Sequence, residues 1–222
     1  STPITNDNIK TAVDLWVSNE STAQSTYGHI STWDTSGVYD MSMLFQNKTS
    51  FNDDISGWNT SNVTTMERMF LRARAFNQPI YNWNTSGVTS MHRMFDNARA
   101  FNQSIYNWNT SNVTTMYWMF RYARDFNQPI GDWDTSIVTT MERMFYGANA
   151  FNQPINTDED NWDVSGVTTM KYMFGYAVNF NQPLDNWNTS NVTTMESMLH
   201  GASAFNQPLD NWNTSNVTTM ES

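Results

Sequence analysis

The chain has no cysteine among its 222 residues. Disulfide staples, thiolate metal ligands and thiol nucleophiles are therefore excluded, and redox chemistry does not fix the compartment. No run of 18 apolar residues occurs, so no segment is built to cross a membrane as a helix. Basic residues are scarce: 11 Lys and Arg stand against 21 Asp and Glu, a formal net charge of −10. That balance argues against a nucleic-acid partner, whose phosphates must be neutralised by Lys and Arg, and no polybasic membrane patch is present. There are only three histidines, His29, His92 and His200. They occupy unrelated phases of the repeat described below, and no His/Asp/Ser or His/Glu constellation forms, so a hydrolase or metal-enzyme reading fails. A starting Met and a basic-then-apolar leader are also lacking. Ser1 reads as a processed N-terminus or a boundary within a longer chain. Asn, Thr, Ser and aromatic residues are abundant instead, a composition that fits a secreted or surface protein.

What is present is a repeat. Residues 76–100 read FNQPIYNWNTSGVTSMHRMFDNARA, and variants of this 25-mer run from Trp33 to the end of the chain. Its opening Phe returns at Phe51, Phe76, Phe101, Phe126 and Phe151, and then at Phe180 and Phe205 after a four-residue insertion near 156–160. A fixed period of this size means a solenoid or array whose copies stack on one another. Residues 1–30 do not repeat. They predict a helix over about 7–17, capped by Thr5 or Asn6, with Ile9, Ala12, Val13 and Trp16 on one face. A second short helix over about 21–27 should end at Gly28. Such a head suits a cap over the open apolar face of a solenoid, residues 31–222.

Within the repeat, Met66, Met69, Phe70 and Ala73 fall at i, i+3, i+4 and i+7, the stripe of a short helix. Thr64 and Glu67 have capping-box spacing, as do Thr139/Glu142 and Thr193/Glu196. Before the stripe, Trp83 and Thr85 alternate with Asn82, Asn84 and Ser86, the period of a strand. Gly37, Gly87 and Gly166, or Asn62, Asn112, Asn191 and Asn216, occupy the turn between them and are suited to a left-handed backbone. The expected unit is strand, turn, helix and a returning FNQP loop. About seven units with parallel strands about 4.8 Å apart give a rod on the order of 35 Å long. Helices pack about 8–10 Å apart, so the strands should lie on a concave side.

The pattern W-[DN]-[TV]-S-x-V-T-x-M-x-x-M-F-x-x-A-x-x-F-N-Q resembles the BspA-like leucine-rich-repeat family, and the head phrase IKTAVDLW…YGHISTWDTS resembles the segment that precedes the repeats there. The likeness covers nearly the whole chain. It implies an α/β, leucine-rich-repeat-like solenoid of about seven 25-residue strand–turn–helix repeats. It also implies a location outside the cell or on its surface and a part in adhesion, with no catalytic motif. The chain departs from that family in placing Thr where Val is frequent after Trp-Asn or Trp-Asp, Val164 excepted.

Several residue sets are candidates for chemistry. Eight tryptophans share one phase (Trp33, Trp58, Trp83, Trp108, Trp133, Trp162, Trp187, Trp212), as sugar-stacking platforms or, given their inward pattern, a core ladder. The Met pairs read as core rather than metal ligands. Trp118 replaces the Arg of Arg68, Arg93 and Arg143, and with Tyr117, Tyr122 and Tyr172 it could form a contact patch on the helical side. An Asn/Asp row (Asn59, Asn84, Asn109, Asp134, Asp163, Asn188) would line the concave strand face, either binding a glycan or protein through repeated hydrogen bonds or serving as a structural amide ladder. Asn59, Asn62, Asn84, Asn109, Asn112, Asn188, Asn191, Asn213 and Asn216 head N-x-S/T triplets and are glycosylation candidates in a eukaryotic host, as are Asn19, Asn47 and Asn102 outside that phase. Asp158, Glu159 and Asp160 in the insertion could bind calcium or form a solvated acidic bulge; no other cofactor is expected. Thr60, Thr85, Thr110, Thr135, Thr189 and Thr214 recur in register, as on an ice-binding surface, although the large Trp beside them argues against a flat array.

Residues 205–222 repeat residues 180–197 letter for letter and stop inside the apolar stripe after Met220. Either the chain was longer or a partner covers that end, for instance the head of a neighbouring copy, so self-association through Ser222 is expected. The expected function is a non-enzymatic extracellular repeat protein, adhesive or structural, assembling end to end into filaments. The alternative is a module that captures a glycan or protein on its concave Asn/Asp/Thr face.

Overall fold

The structure is a computed structural model that describes residues 1–157 and 162–221. It opens with helix α1, Ile9–Ser18, which buries Ile9, Ala12, Val13 and Trp16. Helix α2, Glu20–Tyr27, follows; the Asn19 side chain accepts from the Thr22 amide at its start, and Gly28 ends it at φ 85°. Thr5 Oγ1 accepts from the Asn8 amide, whereas the Asn6 side chain accepts from the amides of Tyr39 and Asp40 and so ties the head to the first repeat. Trp16 donates from Nε1 to Asp53 Oδ2 at 2.8 Å and meets Trp33 edge-on. A single 3-10 turn, Ile30–Thr32, leads into the repeats.

From there on the expected strand–turn–helix unit is overturned. Among the described residues no α-helix occurs after Tyr27, and no extended strand is present. The β-pairing is a chain of seven isolated parallel bridges, one per turn, from Asp40↔Thr65 to Thr194↔Thr219. The predicted helical stripe, 66–73, is instead a run of tight turns. The amides of Arg68, Phe70 and Arg72 donate to His92, Met94 and Asp96 carbonyls one turn away, while those of Met69, Leu71 and Ala73 donate to Met66, Arg68 and Phe70 within the turn. Arg68 and Arg72 take left-handed backbone, φ 55° and 59°, and so do Arg93, Trp118, Tyr122, Arg143, Tyr172 and Tyr176.

The physical reason is spacing. Parallel bridges fix about 4.8 Å per turn, and an α-helix would force about 8–10 Å. Sending every second amide along the axis lets the segment stack at the bridge spacing. The apolar residues lose nothing by it, because Met66, Met69, Phe70 and Ala73 are all buried. Two local expectations fall with the helix. Thr64 and Glu67 form no capping box; Thr64 Oγ1 donates to the Tyr39 carbonyl, and Glu67 Oε1 accepts from Ser90. Gly37, Gly87, Gly166 and the Asn62 series are also absent from the left-handed residues. Gly87 is needed for close approach, since a Cβ there would lie 2.9 Å from the Val63 carbonyl oxygen.

Polar ladders parallel the aromatic core. Tryptophan Nε1 donates to a carbonyl of the turn before, as in Trp83 to Ile55 and Trp108 to Ile80, and Trp83, Trp108 and Trp133 stack face to face. Trp162, which follows the insertion, is buried, and its Nε1 has no partner among the described residues. Of the threonines expected to offer an ice-binding array, only Thr214 in the last turn is exposed, and Thr60, Thr85, Thr110, Thr135 and Thr189 lie inside, at most 2% exposed. Their hydroxyls donate to the next turn, Thr85 to the Asn109 carbonyl at 2.9 Å. The returning loop holds a further asparagine ladder, in which Asn77, Asn102, Asn127 and Asn152 Oδ1 each accept from the Asn amide of the following turn.

Thr85→Val keeps the shape and deletes the donor, leaving a buried carbonyl unmatched. It should lower stability by about 1–2 kcal/mol, read as a fall in the urea midpoint. Thr64→Val, on the exposed column, should move it by far less.

Candidate functional site

The Asn/Asp row is displayed on one face of the solenoid, but its oxygens already have partners. Asn59, Asn84, Asn109 and Asn188 are exposed, Asp134 and Asp163 half-buried. Each Oδ1 accepts from the amide of the serine two residues on, as in Asn84 to Ser86 at 3.0 Å and Asp163 to Ser165 at 2.7 Å. Asp34 makes the same turn, and its bonds to Ser36 hold its carboxyl below the usual range. Among the other glycosylation candidates, Asn213 repeats this turn. Asn62, Asn112, Asn191 and Asn216 donate from Nδ2 to serine carbonyls of the preceding turn, each at 2.7 Å. Asp158, Glu159, Asp160 and Ser222 lie outside the described residues, and among the described residues no group of three His, Asp or Glu could hold a metal ion. At the last turn Met195, Met198, Leu199, Leu209, Trp212 and Met220 line an apolar hollow of 410 Å³.

A different face carries the unusual chemistry. All eight arginines fall in the turn segments 67–74, 92–99, 117–124 and 142–149, where they meet three of the 21 carboxylates. Four of them, Arg68, Arg72, Arg93 and Arg143, take left-handed backbone beside a buried core of Met69, Phe70 and Ala73 and their equivalents. Asp96 is the fixed point. It is fully buried, accepts from Arg93 Nε at 2.8 Å, and takes a two-point contact from Arg121, Nε and Nη2 each at 3.0 Å.

Trp118 lies between these cations. The Arg121 guanidinium carbon is 3.8 Å from its ring centroid, with those of Arg93 and Arg143 at 4.8 and 5.1 Å. Such contacts attract the guanidinium to the ring face and hold it flat. Arg143 also pairs with Glu142 at 3.2 Å and lies over Tyr172. Among the described residues Arg68, Arg72, Arg74, Arg99 and Arg124 make no ion pair with a carboxylate. Arg99 is steered by Asn97, whose Oδ1 it meets at 2.9 Å.

Toward the later turns, aromatic rings replace arginine. Tyr146 meets Tyr122, Tyr172 and Tyr176 edge-on, and Tyr176 meets His200 in the same way. Glycines make room for them: a Cβ at Gly147, Gly175 or Gly201 would come within 2.5–2.7 Å of Tyr122, Tyr146 or Tyr176. Sequence reasoning found Trp118, Tyr117, Tyr122 and Tyr172, and the structure brings all four to this strip. It missed the arginines, although the signal was plain: every Arg in the chain falls in the same eight-residue segment of the 25-residue repeat.

His92 lies inside the strip, edge-on to Tyr117 at 5.0 Å, with Nε2 buried and unpartnered. Burial pushes its imidazole below the ordinary value; Glu67 pulls it back up, and Arg68 and Arg93 push it down. The folded state therefore binds the proton less readily than the unfolded state, and stability falls as pH drops through about 6.5 and below. His92→Gln should flatten that part of the profile, measured as the urea midpoint at pH 7.5 and pH 5; an unchanged slope would remove His92 as its cause.

Among curated proteins, none matches the chain. The family model DUF285, described as a Mycoplasma protein of unknown function, matches residues 15–129, 79–159 and 155–222, so the tandem-repeat chain belongs to the DUF285 family.

Proposed function

We propose that the chain is a non-enzymatic, surface-exposed repeat scaffold that acts in adhesion, in the manner of the BspA-like proteins it resembles. The observation that carries this reading is the confinement of all eight arginines to one strip of a chain whose formal charge is −10. The ladders account for the Trp, Thr and FNQ asparagine side chains as internal structure, whereas five of the arginines have no carboxylate partner among the described residues. A long, regular face with unneutralised charge suits an extended partner. The Asn/Asp row is the weaker alternative, because its oxygens are occupied by local turns. A second reading, association of copies through the apolar hollow at 195–221, rests on that hollow; sedimentation of the chain at rising concentration tests it.

The adhesive reading is tested with beads coated in the chain and applied to cell monolayers. Beads carrying the native chain should be retained. A variant with Arg68, Arg72, Arg74, Arg99 and Arg124 all changed to Ser should lose most of that retention, about tenfold or more if each arginine contributes about 0.3–1 kcal/mol at an exposed site. Equal retention of the two would sink the reading. Protease shaving of intact source cells checks the surface location: the chain should be removed while cytoplasmic proteins survive.

A further inference from the structure

We propose that the arginine strip is a binding site for a linear acidic polysaccharide, one carrying carboxylate or sulfate groups along its length. This rests on the adhesive reading above and adds the class of ligand. The first observation is a column. Arg74, Arg99 and Arg124 occupy the same phase in three consecutive turns, and the backbone fixes their register: the amides of Ala100, Asp125 and Ala150 donate to the Arg74, Arg99 and Arg124 carbonyls at 3.0–3.2 Å. Successive guanidiniums are thus rooted about 4.8 Å apart. Arg74 and Arg124 are exposed and Arg99 half-exposed. Beside them, Arg68 and Arg72 lie on the same segment, and the Arg93–Asp96–Arg121 cluster adds two more cations on one carboxylate.

The second observation is shape. The strip is about seven residues wide within each turn and runs along the axis for four turns, on the order of 15–20 Å. That matches a chain lying along the rod, with anions presented in succession to guanidiniums that bind oxyanions through paired donors.

The third is its surroundings. Continuing along the axis, the strip passes into Tyr122, Tyr146 and Tyr176, rings with polar edges that meet one another edge-on. Sugar rings have apolar faces that lie against aromatic groups and hydroxyls that bond to their edges, whereas an acidic peptide needs only the charges. Elsewhere the rod is acidic. Within a Debye length, about 8 Å at physiological salt, a polyanion is repelled from those faces and accepted only along the strip.

The test uses the whole chain and three probes of matched charge: a heparin dodecasaccharide, a polygalacturonate oligomer and a polyglutamate peptide. Binding is read by isothermal titration at 50 and 200 mM NaCl. At least one of the two glycans should bind, more weakly at the higher salt, and the pair distinguishes a sulfated from a carboxylated source. The triple variant R74S/R99S/R124S, with an unchanged melting profile, should bind at least tenfold more weakly. A second variant, R74K/R99K/R124K, keeps the charge and should lose only part of the affinity. No binding by either glycan, an affinity unaffected by the triple serine variant, or equal binding of polyglutamate would overturn the proposal. Should the beads still depend on the arginines in that event, adhesion stands and the ligand class falls.

Discussion

The parallel bridge is the constraint on which the rest of the molecule depends. Beside each bridge, Thr64 and its equivalents donate to the turn before and accept from the turn after, and the seven bridges in succession set the axial spacing along that side of the rod. The bridged side then repeats at about 4.8 Å, and the aromatic ladders fan out only to 5.5–6.5 Å per turn. Flat rings meet that demand by stacking, and Phe70, Phe95, Phe120 and Phe145 lie within 5° of parallel, with centroids 5.5–5.8 Å apart. A helix does not meet it. The alternating amides of 66–73 are the form that an apolar i, i+3, i+4, i+7 stripe takes when a neighbour stands too close for a helix.

Stacking at this distance also settles the polar groups. An indole N–H, a threonine hydroxyl and an asparagine amide all reach the adjacent turn at ordinary hydrogen-bond lengths, so each becomes a ladder when its residue recurs. These groups lie in or against the core, where an unmatched donor would be costly. Positions outside these three ladders are free to vary from copy to copy. At the left-handed position of Arg68 the copies read Met43, Arg68, Arg93, Trp118, Arg143, Tyr172 and Ser197, with nothing in common except a backbone angle. The structure thus sets this variable face against a repeating frame.

Much of the frame was legible in the residues. The period, the head helices and the burial of Trp, Met and Ala follow from spacing and apolarity, because these determine which side chains point inward whatever the backbone does. The helix was misread because i, i+3, i+4, i+7 spacing reports which residues share a face and not how the backbone bonds. The left-handed residues were signalled at one of their two positions: the column of Arg68 reads Arg, Trp and Tyr, poor markers of positive φ, whereas the column of Arg72 also holds Asn47, Asn97, Gly147 and Gly201, residues suited to it. The inward Thr were legible as a column but not as donors, because their partners lie a full turn away. The site was half visible. Trp118 drew notice as an exception in its column, while the arginines were passed over as a background of surface charge against which that exception was measured.

That background is the odd feature. Like charges at one phase of adjacent turns repel; two unit charges about 5 Å apart in water cost about 0.8 kcal/mol. Arg74, Arg99 and Arg124 therefore do nothing for the frame and work mildly against it. The chain has carboxylates enough to neutralise them, yet a rod with fixed register cannot bend its acidic faces round to its basic one. Where neutralisation is wanted, it is built: Asp96 is buried between Arg93 and Arg121, and Trp118 is laid against the same cations. The cluster thus fixes two arginines as part of the protein and leaves the flanking column open to solvent. A face that is rigid at its centre and unneutralised along its edge is arranged to meet negative charge from outside the chain.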